Sequence, residues 1–88
     1  MRVLLRPVAA RYFERLDTTD KNRFRAAFAS LAKEPPEGDI RPLAGQPGYF
    51  RLRVGGYRAL YCIEDNTIFV TNINPRGQAY GKRSRRKS

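Results

Sequence analysis

Three arginines are spaced so that they could act together on a phosphate. Arg51 and Arg53 alternate along one predicted strand, and Arg58 follows a turn at Gly55-Gly56. A two-residue turn there pairs Arg53 with Arg58 and places Arg51 on the same face of the hairpin. Like charges that face each other destabilise a sheet unless an anion neutralises them. Because guanidinium groups bind phosphate oxygens through paired hydrogen bonds, the spacing predicts a phosphate-binding patch.

The neighbourhood of this patch favours a ligand over an ordinary solvated sheet face. Solvated faces usually mix charges, whereas no acidic residue lies between Asp39 and Glu64 in the sequence. Aromatic rings at Tyr49 and Tyr80 could stack on unpaired bases. We therefore favour a functional face that binds phosphate over a solvated sheet face.

The residue types that are missing restrict the chemistry further. The chain has no histidine, and a lone cysteine, Cys62, is a poor nucleophile candidate without one. No ligand set has zinc spacing, and no glycine-rich nucleotide loop is present. RNA cleavage by its own 2′-hydroxyl fits what remains, because the substrate supplies the nucleophile and neither a metal nor a cofactor is needed. Each well-placed donor to the developing charge is worth roughly 10²–10³ in rate.

The charge of the chain agrees with an anionic partner. Lysine and arginine number 18 against 8 acidic residues, for a net charge of +10. Such a balance favours nucleic acid, an acidic protein or an anionic surface, although it also serves solubility. Five basic residues lie in a tail, residues 82–88, that we predict to be disordered and separate from a single domain at residues 1–81. Within it, four residues are predicted to bind RNA: Lys82, Arg83, Arg85 and Arg86.

The sequence predicts a cytoplasmic, soluble protein. Cys62 cannot form an internal disulfide, and the first residues lack the apolar run of a signal peptide. No stretch approaches the roughly 18 apolar residues of a membrane span. We therefore expect no membrane partner.

The first part of the chain predicts a strand and then a helical hairpin. Residues 2–6 form a short apolar run, and Pro7 suits the first position of a helix. Asp17 is placed to cap a second helix, with Asp20 in its first turn. Apolar residues recur in that helix at the spacing of a buried face: Phe24, Ala27, Phe28 and Leu31.

The second part predicts a three-stranded antiparallel meander. The proline- and glycine-rich residues 34–48 are predicted to be a surface connection. Alternating strands then follow at residues 49–54, 57–63 and 67–73, separated by turns at residues 55–56 and 64–66. Together these elements predict an α+β fold whose hairpin buries one face, formed by Phe50, Leu52, Val54, Tyr57, Ala59 and Tyr61.

Two segments resemble the RelE/ParE superfamily of toxins from type II toxin–antitoxin systems. Residues 43–61 have the sequence LAGQPGYFRLRVGGYRALY, which is similar to the central block of that superfamily, and residues 75–80, PRGQAY, follow the last predicted strand. The likeness extends over nearly the whole chain up to the tail. It implies a RelE-like microbial ribonuclease fold.

The resemblance also implies roles for individual residues. In a RelE-like, ribosome-dependent mRNA endoribonuclease, Arg51 and Arg53 would hold the phosphate and orient the 2′-hydroxyl. Arg58 and Arg76 would stabilise the phosphorane, and Tyr80 would stack on a base or assist proton transfer. The implied partners are messenger RNA, the ribosome and a cognate antitoxin that covers the basic face in a hetero-oligomer.

Two positions depart from the pattern of RelE-like nucleases. Arg51 and Arg53 stand on the strand where well-studied members use lysines, and Pro75 stands where many relatives carry histidine. Since a guanidinium stays protonated at neutral pH, the general base is left unassigned.

Two other functions remain open at this point. A ParE-like toxin would bind and poison DNA gyrase without nuclease activity, and a non-catalytic domain would use the arginines only to hold RNA. Arg76 and Tyr80 favour the nuclease, because a gyrase binder does not need a phosphate-centred cluster.

Overall fold

The computed structural model describes residues 1–75, which form two helices and a five-stranded sheet. In chain order the elements are β1 (Arg2–Leu5), α1 (Pro7–Glu14), α2 (Thr18–Leu31), β2 (Asp39–Pro42), β3 (Tyr49–Val54), β4 (Tyr57–Glu64) and β5 (Thr67–Pro75). The strand order is β1-β5-β4-β3-β2, with β1 parallel to β5 and the other pairs antiparallel. The predicted α+β class, with strand, helical hairpin and meander in that order, is confirmed. Neither helix is long and apolar enough to cross a membrane.

The helix starts follow the predicted signals. Pro7 occupies the start of α1, where its missing N–H has no partner to lose. The Asp17 side chain caps α2 and accepts a hydrogen bond of 2.9 Å from the backbone N–H of Asp20. This cap fixes the point at which the chain turns from one helix into the next.

The core lies between the two helices and one face of the sheet, which we name the inner face. Phe24 and Leu31 of α2 are fully buried there, and the Phe24 ring packs against the rings of Phe13 and Phe28. The sheet contributes fully or almost fully buried side chains: Leu52, Ala59, Tyr61, Ile68 and Val70. The helical spacing and the strand alternation therefore predicted the core correctly.

The β3–β4 turn favours glycine at residue 55. Gly55 has a φ of +58°, and a Cβ at this position would lie 3.1 Å from Nη1 of Arg23 on α2. The turn sets the predicted register, in which Val54 faces Tyr57 and Arg53 faces Arg58.

The prediction that residues 34–48 are only a surface connection is wrong. Residues 39–42 form β2, an edge strand paired with β3 in the register Asp39 to Arg53 and Arg41 to Arg51. Aspartate and proline are rare in strands, so local preference does not indicate one here. An edge strand tolerates Pro42, because one side of its backbone needs no partner.

Several predicted features lie outside the described residues. These are the separate basic tail, the boundary of the domain at residue 81, and the site residues Arg76, Tyr80, Lys82, Arg83, Arg85 and Arg86. They stay predictions.

Candidate phosphate-binding site

The arginines predicted from the hairpin register come together on the face of the sheet that points away from the helices, the outer face. Arg53 lies opposite Arg58, and Arg51 is two residues along β3 on the same side. Tyr49 lies on this face too, next along β3, and is 37% exposed. The prediction that Arg51, Arg53 and Arg58 share one face of the hairpin is therefore confirmed.

Arg51 is held more tightly than the sequence suggested. The residue is only 9% exposed, although it was predicted to belong to an open polar patch. One guanidinium nitrogen, Nη2, lies 3.8 Å from the carboxylate of Asp39, and Nη1 is buried without a hydrogen-bond partner within residues 1–75. A buried donor without an acceptor lowers the stability of the folded protein. This arrangement favours an anion that could accept a hydrogen bond from Arg51.

An acid lies near the cluster in space, although none lies between Asp39 and Glu64 in the sequence. Because β2 pairs with β3, Asp39 reaches the arginines from the edge of the sheet, and its carboxylate lies 3.6 Å from Nε of Arg53. In the sequence Asp39 stands well before this hairpin. Only the pairing of β2 brings the two together.

Arg41 is a candidate that the sequence did not reveal. It lies directly opposite Arg51 on the outer face and is exposed at the edge of the sheet. The alternation of Asp39, Ile40 and Arg41 could have indicated this strand, since Ile40 packs against the core while its neighbours are exposed. We name Arg41, Arg51, Arg53 and Arg58 the arginine cluster.

A contact on the inner face supports the start of β4 behind the cluster. The Tyr57 hydroxyl donates a hydrogen bond of 3.0 Å to the Asp20 carboxylate, and Asp20 also forms an ion pair of 3.7 Å with Arg23. This contact joins the first turn of α2 to the residue that precedes Arg58. It therefore fixes the strand end from which Arg58 projects.

Three of the described tyrosines have a raised pKa. The hydrogen bond to Asp20, and then burial, raise the pKa of Tyr57 above its ordinary value. Burial, followed by the charge of Asp20, raises the pKa of Tyr12, and burial raises that of Tyr61. These three hydroxyls keep their protons at neutral pH, and that of Tyr57 donates its proton to Asp20 in a hydrogen bond.

The arrangement favours binding an anion and stabilising negative charge over binding a metal. Within residues 1–75, no three potential metal-ligating side chains come together. The guanidinium groups project from three neighbouring strands, and such strands lie about 4.8 Å apart. They could therefore contact successive oxygens of a nucleic-acid backbone.

The fold is similar to that of solved toxin structures. The archaeal RelE–RelB complex from Pyrococcus horikoshii OT3 matches with a TM-score of 0.73 and 27% identity, over 88% of this chain and 96% of that chain. The isolated Escherichia coli RelE toxin matches with a TM-score of 0.72 and 18% identity, over 99% and 98%. The YoeB dimer structure from Staphylococcus aureus matches with a TM-score of 0.68 and 19% identity, over 84% and 94%. These likenesses establish the fold.

The assignment of the chain to a family rests on a comparison of its sequence with family models. No match was found among curated proteins. The family model described as the ParE toxin of the type II toxin–antitoxin system, parDE, matches residues 3–80. Because this match spans most of the chain and the fold agrees with it, the chain belongs to the ParE toxin family of type II toxin–antitoxin systems.

Proposed function

We propose that this toxin is a ribosome-dependent mRNA endoribonuclease that stops translation. The observation that carries the proposal is the arginine cluster on the outer face. There Arg51 is almost buried, its Nη1 has no hydrogen-bond partner within residues 1–75, and three more arginines lie on the same face. A surface that only maintained solubility would not need a buried arginine. A backbone phosphate supplies the charge and the acceptors that this cluster needs.

In the proposed reaction, a 2′-oxygen of the message attacks the adjacent phosphorus, and the bond from phosphorus to the 5′-oxygen breaks. The products are a 2′,3′-cyclic phosphate and a free 5′-hydroxyl, so no outside reactant is consumed. Arg51 and Arg53 hold the phosphate, and Arg58 stabilises the negative charge that develops on its oxygens. Protonated guanidinium groups suit these roles, although they cannot take the proton from the 2′-hydroxyl.

The remaining proposed residues follow the last described strand. β5 ends at Pro75, which pairs with Tyr57, the residue before Arg58. Arg76 and Tyr80 lie outside the described residues. In the proposal Arg76 adds a second contact to the phosphorane. Tyr80 stacks on a base or assists proton transfer.

A cognate antitoxin is the proposed protein partner. Two of the similar solved structures, from Methanococcus jannaschii and Pyrococcus horikoshii, are RelB–RelE complexes. An acidic antitoxin segment over the arginine cluster would neutralise it and exclude RNA.

Gyrase binding is the second candidate, because the family model that matches the chain is that of ParE toxins. Pulse labelling after induction of the toxin without antitoxin distinguishes the two. The nuclease proposal expects protein synthesis to fall first while DNA synthesis continues. A fall in DNA synthesis with translation intact would support gyrase poisoning instead. If translation is inhibited and no message is cut, the result would support a non-catalytic domain that only binds RNA.

A further inference from the structure

The pairing of β2 with β3 places Asp39 near the arginine cluster, and its carboxylate contacts the guanidinium groups by charge without a hydrogen bond. Its carboxylate lies 3.8 Å from Nη2 of Arg51 and 3.6 Å from Nε of Arg53. Hydrogen bonds from nitrogen to oxygen are typically 2.7–3.2 Å long, so neither contact has hydrogen-bond geometry. The carboxylate offsets the positive charge without satisfying the guanidinium donors.

Asp39 and Arg51 differ in how far they are exposed. The Asp39 side chain is 50% exposed on an edge strand, so its carboxylate can turn towards water. Arg51 is almost buried beside Leu52 and keeps its place in the sheet. Any anion that enters the site therefore meets one held guanidinium group, that of Arg51, an exposed one, that of Arg53, and an exposed carboxylate.

A phosphate would make better contacts than this carboxylate. It could approach to about 2.8 Å, the distance of charge-assisted hydrogen bonds, and accept from two guanidinium groups at once. The exchange replaces two long ion pairs by shorter hydrogen bonds.

We propose that Asp39 is a specificity-determining residue, a resident carboxylate that occupies Arg51 and Arg53 in the free protein and competes with the phosphate of the RNA. This inference rests on the proposed function, since it takes RNA as the ligand of the cluster. The competition weakens the binding of loosely held phosphates. A phosphodiester that other contacts hold in place displaces the carboxylate.

The test compares two substitutions that change charge equally. Asp39→Asn removes the competing carboxylate, whereas Asp65→Asn makes the same change in the β4–β5 turn, at a position where asparagine tolerates the positive φ of 49°. Affinity is measured by fluorescence anisotropy with a short, labelled, 2′-O-methylated single-stranded RNA, which cannot be cleaved. We expect Asp39→Asn to bind about 3- to 10-fold more tightly than the wild type and Asp65→Asn to change affinity less than about twofold.

Further variants separate competition from a structural role. Asp39→Glu, which keeps the charge, should restore most of the wild-type affinity, and the gain from Asp39→Asn should disappear in an Arg53→Gln background. Asp39→Ser is a second neutral variant, expected to show the same gain if Asp39→Asn folds poorly. Thermal melts check that each variant is folded.

The outcomes distinguish this inference from the function on which it rests. If Arg53→Gln alone weakens RNA binding but Asp39→Asn binds no more tightly than Asp65→Asn, competition by Asp39 is overturned and the RNA site stands. If Arg53→Gln leaves RNA affinity unchanged, the cluster is not the RNA site. That result overturns both.

Discussion

The inner and outer faces of the same sheet differ in what surrounds their side chains. On the inner face, Leu52 and Ala59 pack against the helices and are almost completely buried. On the outer face, one residue along each strand, Arg53 faces Arg58, and a long ion pair to Asp39 offsets part of their charge. The comparison indicates that the stability of the domain comes mainly from the inner face, while the outer face keeps charges available for a ligand.

The largest expected effect on stability tests the inner face. Phe24→Ala removes a fully buried ring that contacts Phe13, Phe28 and Tyr57, so it should lower the free energy of unfolding by about 3–5 kcal/mol. The matched change on the outer face, Tyr49→Ala, should cost less than about 1 kcal/mol. Urea titration measures both. Equal losses would contradict the comparison.

A smaller effect is expected at the hydrogen bond between Tyr57 and Asp20, which lies on the inner face behind Arg58. Tyr57→Phe removes the hydrogen bond to Asp20 while keeping the ring in place, and should cost about 1–2 kcal/mol. Because this contact supports the strand end that carries Arg58, RNA cleavage should fall as well. Tyr12→Phe serves as the control, since it removes a neighbouring hydroxyl that no hydrogen bond within residues 1–75 uses. If both variants behave alike in melts, the Asp20 contact is not the cause.

The most informative small effect concerns Arg51, which is buried although it lies on the outer face. Arg51→Met keeps most of the packing and removes a long ion pair, so the free energy of unfolding should stay within about 1 kcal/mol of the wild type. Binding of single-stranded RNA should nevertheless be lost. A stable Arg51→Met variant that binds RNA normally would show that this arginine belongs to the scaffold.

The smallest expected effect appears at high pH. The pKa of Tyr57 is raised above the ordinary value of 10.0, so the folded protein retains a proton that the unfolded chain loses above that pH. The stability from this group is complete below pH 10.0 and is lost as the pH rises through the folded-state pKa. Thermal melts at increasing pH should therefore fall more steeply for the wild type than for Tyr57→Phe. Parallel curves would contradict this.

The features that the sequence predicted depend on neighbours along the chain. The Asp17 cap reaches the backbone of Asp20, and the glycine turn alone fixes which residues of β3 and β4 face each other. The register then places Arg51, Arg53 and Arg58 on one face, because side chains alternate along a strand.

The features that the sequence did not predict depend on distant pairings. Strand β2 has only four residues, including an aspartate and a proline, and the backbone of β3 holds it in the sheet. Asp39 and Arg41 were therefore not assigned to the site, although the alternation of exposed and apolar residues around Ile40 is a weak signal of the strand. The hydrogen bond between Asp20 and Tyr57 joins two elements whose contact no local pattern specifies.

The measurement that tests the central claim most directly is primer extension on ribosome-bound message, with the wild type and an Arg53→Ala, Arg58→Ala double variant. Removing these outer-face charges should leave the protein folded and reduce the rate of cleavage by about 10² or more, since each donor stabilises the transition state. An Arg2→Ala, Arg15→Ala double variant, which removes two exposed charges away from the cluster, should cleave normally. Cleavage at the wild-type rate by a folded Arg53→Ala, Arg58→Ala variant would contradict the assignment of the outer face as the ribonuclease site.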